Sequence, residues 1–124
     1  MNTLTLTEEQ MTDNLHLALE EIFLQGMILN RRKIVQAHVD FHGHTSTADV
    51  QIMPVNTVWR EGFELPEPLG GLDIRLYFYE FMDLTEMHED YRERMARLET
   101  FIRYLDHLIT MNKPIEVELK ETAA

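Results

Sequence analysis

The chain is expected to fold as one two-layer α+β domain, residues 1–124, with a four-stranded, mainly antiparallel sheet covered on one face by two long helices in the order α-β-β-β-α-β. Three observations predict this. Two long segments, each opened by a capping-box pattern, carry apolar residues at three- and four-residue steps. Between and after them the apolar period changes to two over short stretches. A length of 124 residues supplies one hydrophobic core and not two full-sized ones.

Thr7 with Gln10 forms the first capping box, so a helix is expected from Glu8 to about Asn30. Its buried stripe reads Met11, Leu15, Ala18, Leu19, Ile22, Phe23, Met27 and Leu29. Arg31, Arg32 and Lys33 follow, where the helix dipole favours positive charge.

A hairpin comes next. Val35, Ala37, Val39 and Phe41 point one way and Gln36, His38, Asp40 and His42 the other; beyond a break at Gly43 to Ser46, Ala48, Val50 and Ile52 alternate with Thr47, Asp49 and Gln51. Two registers keep the apolar residues together. A two-residue Gly43-His44 turn opposes His38 to Asp49, and a four-residue turn opposes Asp40 to Asp49 while matching Phe41 to Ala48 and Val39 to Val50.

Residues 54 to 71 show no sustained periodicity and contain three prolines and three glycines, a long connection of a kind that often carries function. Trp59 and Phe63 lie within it, either pinning the loop to the core or offered to a partner. Leu72, Ile74, Leu76 and Phe78 then alternate with Asp73, Arg75, Tyr77 and Tyr79 as a third strand, whose tyrosines join the wet face.

Asp83 with Glu86 opens a second helix, with Met87, Tyr91, Met95, Leu98, Ile102, Leu105 and Ile109 as its buried stripe and an end near Asn112 set by Pro114. Asp90 with Arg94, and Glu99 with Arg103, read as ion pairs on its solvated side. Ile115, Val117 and Leu119 alternate with Glu116, Glu118 and Lys120 as a short fourth strand. A helix of that length measures about 42 Å, against a diameter of about 35 Å for a compact chain of this size, and a symmetric homodimer is one arrangement that accommodates the overhang.

Composition narrows the function classes. The formal net charge is −11, from 22 acidic and 11 basic side chains, which disfavours direct binding to nucleic acid or to an anionic membrane and favours a basic protein partner. Residues 61 to 90 concentrate the excess, with Glu61, Glu64, Glu67, Asp73, Glu80, Asp83, Glu86, Glu89 and Asp90 against Arg75 alone. No apolar run approaches the ~20 residues that span a bilayer. The first residues, MNTLTLTEEQ, lack the basic and apolar regions of a secretory signal, and there is no cysteine, so the cytoplasm is the expected location.

The stretch HVDFHGH sets His38, Asp40, His42 and His44 at every second position. Imidazole and carboxylate are zinc ligands, yet the Cα atoms of His38 and His42 lie about 13 Å apart along a strand, too far for one ion to gather both with ease. A feasible metal site uses Asp40 with His38 or His42 and adds Asp49 across the hairpin. Acid–base work by a histidine with Asp40 is a further alternative. The spacing matches neither H-x-H-x-D-H nor H-E-x-x-H, and G-x-x-x-x-G-K-[ST], G-x-G-x-x-G and G-x-S-x-G are all missing. Ser46 is the chain's one serine, and no cofactor is implied.

The leading expectation is therefore a small acidic, non-enzymatic interaction protein: an inhibitor, immunity protein, antitoxin-like neutraliser or chaperone, of which a mimic of nucleic-acid charge is a more specific version. Its partner-binding residues are expected to be Trp59, Glu61, Phe63, Glu64, Glu67, Tyr77 and Tyr79, because interfaces favour aromatic anchors and this chain sets them among carboxylates. The rival is a ligand- or metal-binding protein, or an enzyme, using His38, Asp40 and His42 with Asp49. A structural subunit of a larger assembly is the third.

Overall fold

Thr7 Oγ1 accepts from the Gln10 amide at 3.1 Å while Gln10 Oε1 accepts from the Thr7 amide at 2.9 Å, and helix α1, Glu8–Arg31, starts there. The structure, a computed structural model, describes residues 5–122; residues 1–4 and 123–124, the two ends of the expected domain, lie outside the described residues. Strands β1 (Val35–His42), β2 (Thr47–Pro54) and β3 (Gly70–Arg75) follow, then helix α2 (Leu84–Met111). The second capping box closes α2 at its start, with the Glu86 amide 2.8 Å from Asp83 Oδ1. At its far end Asn112 turns left-handed with φ 49° and its amide reaches Leu108 O at 3.1 Å.

The class is α+β, with two helices and one antiparallel sheet in the order β1-β2-β3. In β1–β2, Asp40 stands opposite Asp49, Phe41 opposite Ala48 and Val39 opposite Val50, which is the four-residue-turn register. Matching the apolar residues outweighs the like-charge pair, whose carboxylates face water while Ala48, Val50 and Ile52 are buried.

The sheet has three strands, not the four expected. Residues 115–121 bind the 55–64 loop instead of a strand edge. Ile115 joins Ile34 O and the Val55 amide at 2.9 Å each, Asn56 clasps both backbone groups of Val117, and Glu64 N donates to Lys120 O at 2.8 Å. Ile115, Val117 and Leu119 are half-buried and alternate with exposed neighbours, Ile115 packing against the core, and their period of two is the same whether the backbone bonds a strand or a loop. The third strand also ends sooner than expected, at Arg75, because Arg75 pairs with Thr47, where its partner β2 begins.

Met11, Leu15, Ile22, Leu29, Ile52, Leu98 and Leu105 fill the centre of the core. At Gly26 α1 comes close to β1: a Cβ there would make ordinary contact with the side chains of Ala37 and Val39 at 3.5 and 3.6 Å. The buried rows are turned slightly from those expected. In α1 the row passes through Gln25 and Gly26 and leaves Met27 exposed. In α2 it reads Arg94, Leu98, Phe101, Leu105 and Leu108, with Met87, Tyr91, Met95, Ile102 and Ile109 as partly buried flanks. Asp90 and Arg94 do pair, but inside the protein, and Arg103 donates to Thr100 Oγ1 at 3.1 Å in place of the expected bond to Glu99. Among the described residues no helix is long and apolar enough to cross a membrane.

Candidate partner-binding surface

The helices pack on the apolar side of the sheet. Its other side presents Gln36, His38, Asp40 and His42 from β1, Asp49 and Gln51 from β2, and Asp73 and Arg75 from β3, as the period of two requires. Two aromatic corners stand at opposite ends of this face, separated by the length of β1 from Gln36 to His42, roughly 20 Å.

At the Gln36 corner the 54–69 loop folds back over the sheet. Gln36 Nε2 donates to Val55 O at 3.0 Å and Thr57 O at 2.9 Å, and Gln36 Oε1 accepts from Trp59 Nε1 at 2.6 Å. The His38 ring meets the indole edge-on at 5.1 Å. Trp59 is pinned by its polar end and remains 51% exposed. Phe63 is half-buried, its ring under the Arg60 guanidinium at 5.1 Å and its backbone bridged to Glu121. Glu61, Glu64 and Glu67 are exposed, and the last two border a shallow cleft with Glu118 and Lys120.

At the opposite corner the chain leaves β3 still alternating, with Leu76 and Phe78 buried and Tyr77, Tyr79 and Phe81 turned out. Tyr77 meets Tyr79 edge-on at 5.7 Å, and Tyr79 stacks on Phe81 at 5.3 Å with the planes 7° apart. The Arg75 guanidinium lies 4.2 Å from the Tyr79 ring centre and 5.3 Å from that of Tyr77. Phe81 is 77% exposed.

A buried strut holds this ladder. Arg75 Nη2 donates to both Asp90 oxygens at 3.1 Å, and Arg94 Nη2 donates to Asp90 Oδ2 at 2.9 Å. Arg94 is only 3% exposed, donates to the carbonyls of Arg75 and Tyr77, and covers the Phe78 ring at 4.4 Å. Burial pulls its guanidinium below the ordinary arginine value; Asp90 opposes that shift and Arg75 adds to it. One half-buried carboxylate thus holds two cations, and the cations bond the backbone that carries the aromatic rings.

The predicted site residues therefore divide. Trp59, Glu61, Phe63, Glu64 and Glu67 belong to the loop corner, and Tyr77 and Tyr79 to the ladder. Of the metal candidates, His42 Nε2 lies 2.8 Å from Asp49 Oδ2, while His38 turns to Trp59 and Asp40 stays exposed. Among the described residues no three histidine, aspartate or glutamate side chains gather as a metal site needs. Phe81 had no part in the expected site, and the Asp90–Arg94 pair was expected on the solvated side of α2 and without Arg75; the period of two running on through Y-F-Y-E-F was the available sign of Phe81. No known protein family, no curated protein and no solved structure matches this chain.

Proposed function

We propose that this chain is a small acidic, non-enzymatic protein that binds and modulates a larger basic protein in the cytoplasm, as an inhibitor, immunity protein, antitoxin-like neutraliser or chaperone does. The observation that carries the reading is the exposed Tyr77–Tyr79–Phe81 ladder. Three large rings stand in water on a backbone that a buried ion-pair network holds rigid, so their ordering cost is met before any partner arrives. Preordered aromatic rings beside an arginine are the composition of an interface hot spot. Asp49, Asp73 and Glu93 border the same corner and supply the complement to a basic surface. Trp59 with Glu61, Phe63, Glu64 and Glu67 forms a second acidic and aromatic contact at the far end of the face.

Affinity capture from the native host, followed by mass spectrometry, tests this with wild type and a Tyr79→Ala, Phe81→Ala double variant. The expected result is one abundant basic protein held by wild type and lost by a variant that melts at the same temperature. Equal recovery by both proteins, or no specific partner for either, overturns the reading.

A further inference from the structure

Helix α2 runs antiparallel to β3 along its outer edge, and between them lies an open groove of about 600 Å³. Leu69, Gly70, Gly71 and Leu72 form one wall, and Ala96, Thr100, Phe101 and Tyr104 belong to the other. The Leu76 amide donates to Ser46 O at 2.8 Å, so residues 72, 74 and 76 exchange bonds with β2, and Gly71, Asp73 and Arg75 aim their backbone groups away from it. Arginines of α2 seal most of that edge: Arg97 Nη2 donates to Asp73 O at 2.6 Å, and Arg94 takes the carbonyls of Arg75 and Tyr77. The seal stops there. The next outward residue is Gly71, which is exposed and faces the groove without a capping side chain among the described residues.

We propose that this groove is a docking site for an extended segment of another protein, added as a short strand to β3 at Gly71, with an apolar side chain over Phe101 and Leu72 and a lysine or arginine next to it. Strand addition needs a free edge, a neighbouring wall and room for alternate side chains, and all three are here. Gly71 leaves the edge without a side chain, which admits a second backbone at close range, while the Tyr104 ring covers the Cβ side of Gly70. Leu69 N is already taken by Ile52 O at 2.7 Å, so the outward backbone groups are those of Gly71, and the added strand is short, about three residues or roughly 10 Å. The basic residue is favoured by charge: Glu93 lines the groove together with Arg97, whose guanidinium is turned onto the Asp73 carbonyl, and Asp73 lines the cavity that adjoins it through Gly71 and Leu72, so two carboxylates without an ion pair among the described residues stand against one cation. This site shares Glu93 and Asp73 with the ladder corner, but Gly71 and Ala96 line the groove and not that corner, so the Gly71 amide and Ala96→Trp test it separately from the reading above.

The experiment is selection of a displayed library of random heptapeptides on the full chain, then NMR titration of the 15N-labelled chain with the best synthetic peptide. The expected result is a motif with an apolar residue followed by lysine or arginine, and a shifted, exchange-protected Gly71 amide. Ala96→Trp fills the groove from an exposed helix position and should weaken the peptide about tenfold or more while the melting temperature holds. Glu93→Lys, also exposed, should remove the preference for the basic residue, and it keeps the test decisive should Ala96→Trp fold poorly. No enriched motif, shifts confined to another surface, or a peptide indifferent to both substitutions overturns the proposal. So does a wild-type dimer that Ala96→Trp turns into a monomer, which would assign the groove to a second copy of this chain.

Discussion

Asp90 accepts from Arg75 and Arg94 at once, with Nη2 of the first 3.1 Å and of the second 2.9 Å from its Oδ2. Arg94 follows Asp90 by four residues on α2, whereas Arg75 comes from the end of β3, so a single carboxylate ties helix to sheet at the foot of the aromatic ladder.

Removing that carboxylate strands two cations, one of them almost fully buried. Asp90→Ala is expected to destabilise the fold by about 3 kcal/mol, since breaking a buried pair costs far more than the pair contributes net. Adding Arg94→Met to it should recover part of the loss, because the unpaired charge is then gone. Urea midpoints of the single and double variants measure this, and a double variant weaker than Asp90→Ala alone would contradict the account.

At the other edge of the sheet Asn30 plays the part that the arginines play at β3. Its side-chain amide donates to Ala37 O at 2.9 Å and accepts from Ala37 N at 2.7 Å, imitating a neighbouring strand on the outward side of β1. Asn30→Ala should cost about 1 kcal/mol. It should also raise self-association, because a strand edge beside exposed Met27 and Phe41 is then open to pairing. Sedimentation at increasing concentration, with wild type alongside, measures the second effect, and hydrogen exchange at Ala37 the first.

Both helix starts were legible because a capping box places a polar side chain and its reciprocal partner at fixed spacing, and Thr7 with Gln10 and Asp83 with Glu86 form as read. The hairpin was legible for the same local reason, a strict period of two. What escaped was tertiary. Arg94 sits in the buried row of α2, where hydrophobicity gives no warning, because its acceptors besides Asp90 are the backbone carbonyls of Arg75 and Tyr77, distant in sequence. Ile115 to Leu119 keep a strand's alternation while their backbone partners lie in a loop, and alternation reports which side is apolar, not what the backbone bonds. In the candidate site, the sequence named the tyrosines and Trp59 as anchors but could not tell that the length of β1 holds them apart.

Asn56 is the clasp of that C-terminal segment. Its amide donates to Val117 O at 2.7 Å and accepts from Val117 N at 3.1 Å. Asn56→Ala should release residues 116–121 while leaving the sheet intact, at a cost of about 1 kcal/mol. The sign would be faster amide exchange and earlier proteolytic trimming of the tail, with unchanged protection in β2. Loss of protection across the whole hairpin would show instead that the tail is part of the cooperative core.

Tyr104 gives the fold an alkaline limit. Its ring packs so closely on the chain that a Cβ on Gly70 would lie 2.9 Å from its Cε2, and burial raises its phenol above the ordinary tyrosine value. The folded state then holds the proton more tightly than the unfolded chain, whose phenol titrates near pH ~10. The resulting stability is complete below that unfolded value and is lost as pH rises through the higher folded one. Tyr104→Phe has no proton to lose at this position, and Tyr77, Tyr79 and Tyr91 remain in both proteins. The stability difference between wild type and Tyr104→Phe should therefore move in favour of phenylalanine between pH 8 and about pH 11, read from urea midpoints at each pH. A difference constant across that range would mean that the Tyr104 phenol titrates alike in the folded and unfolded chain.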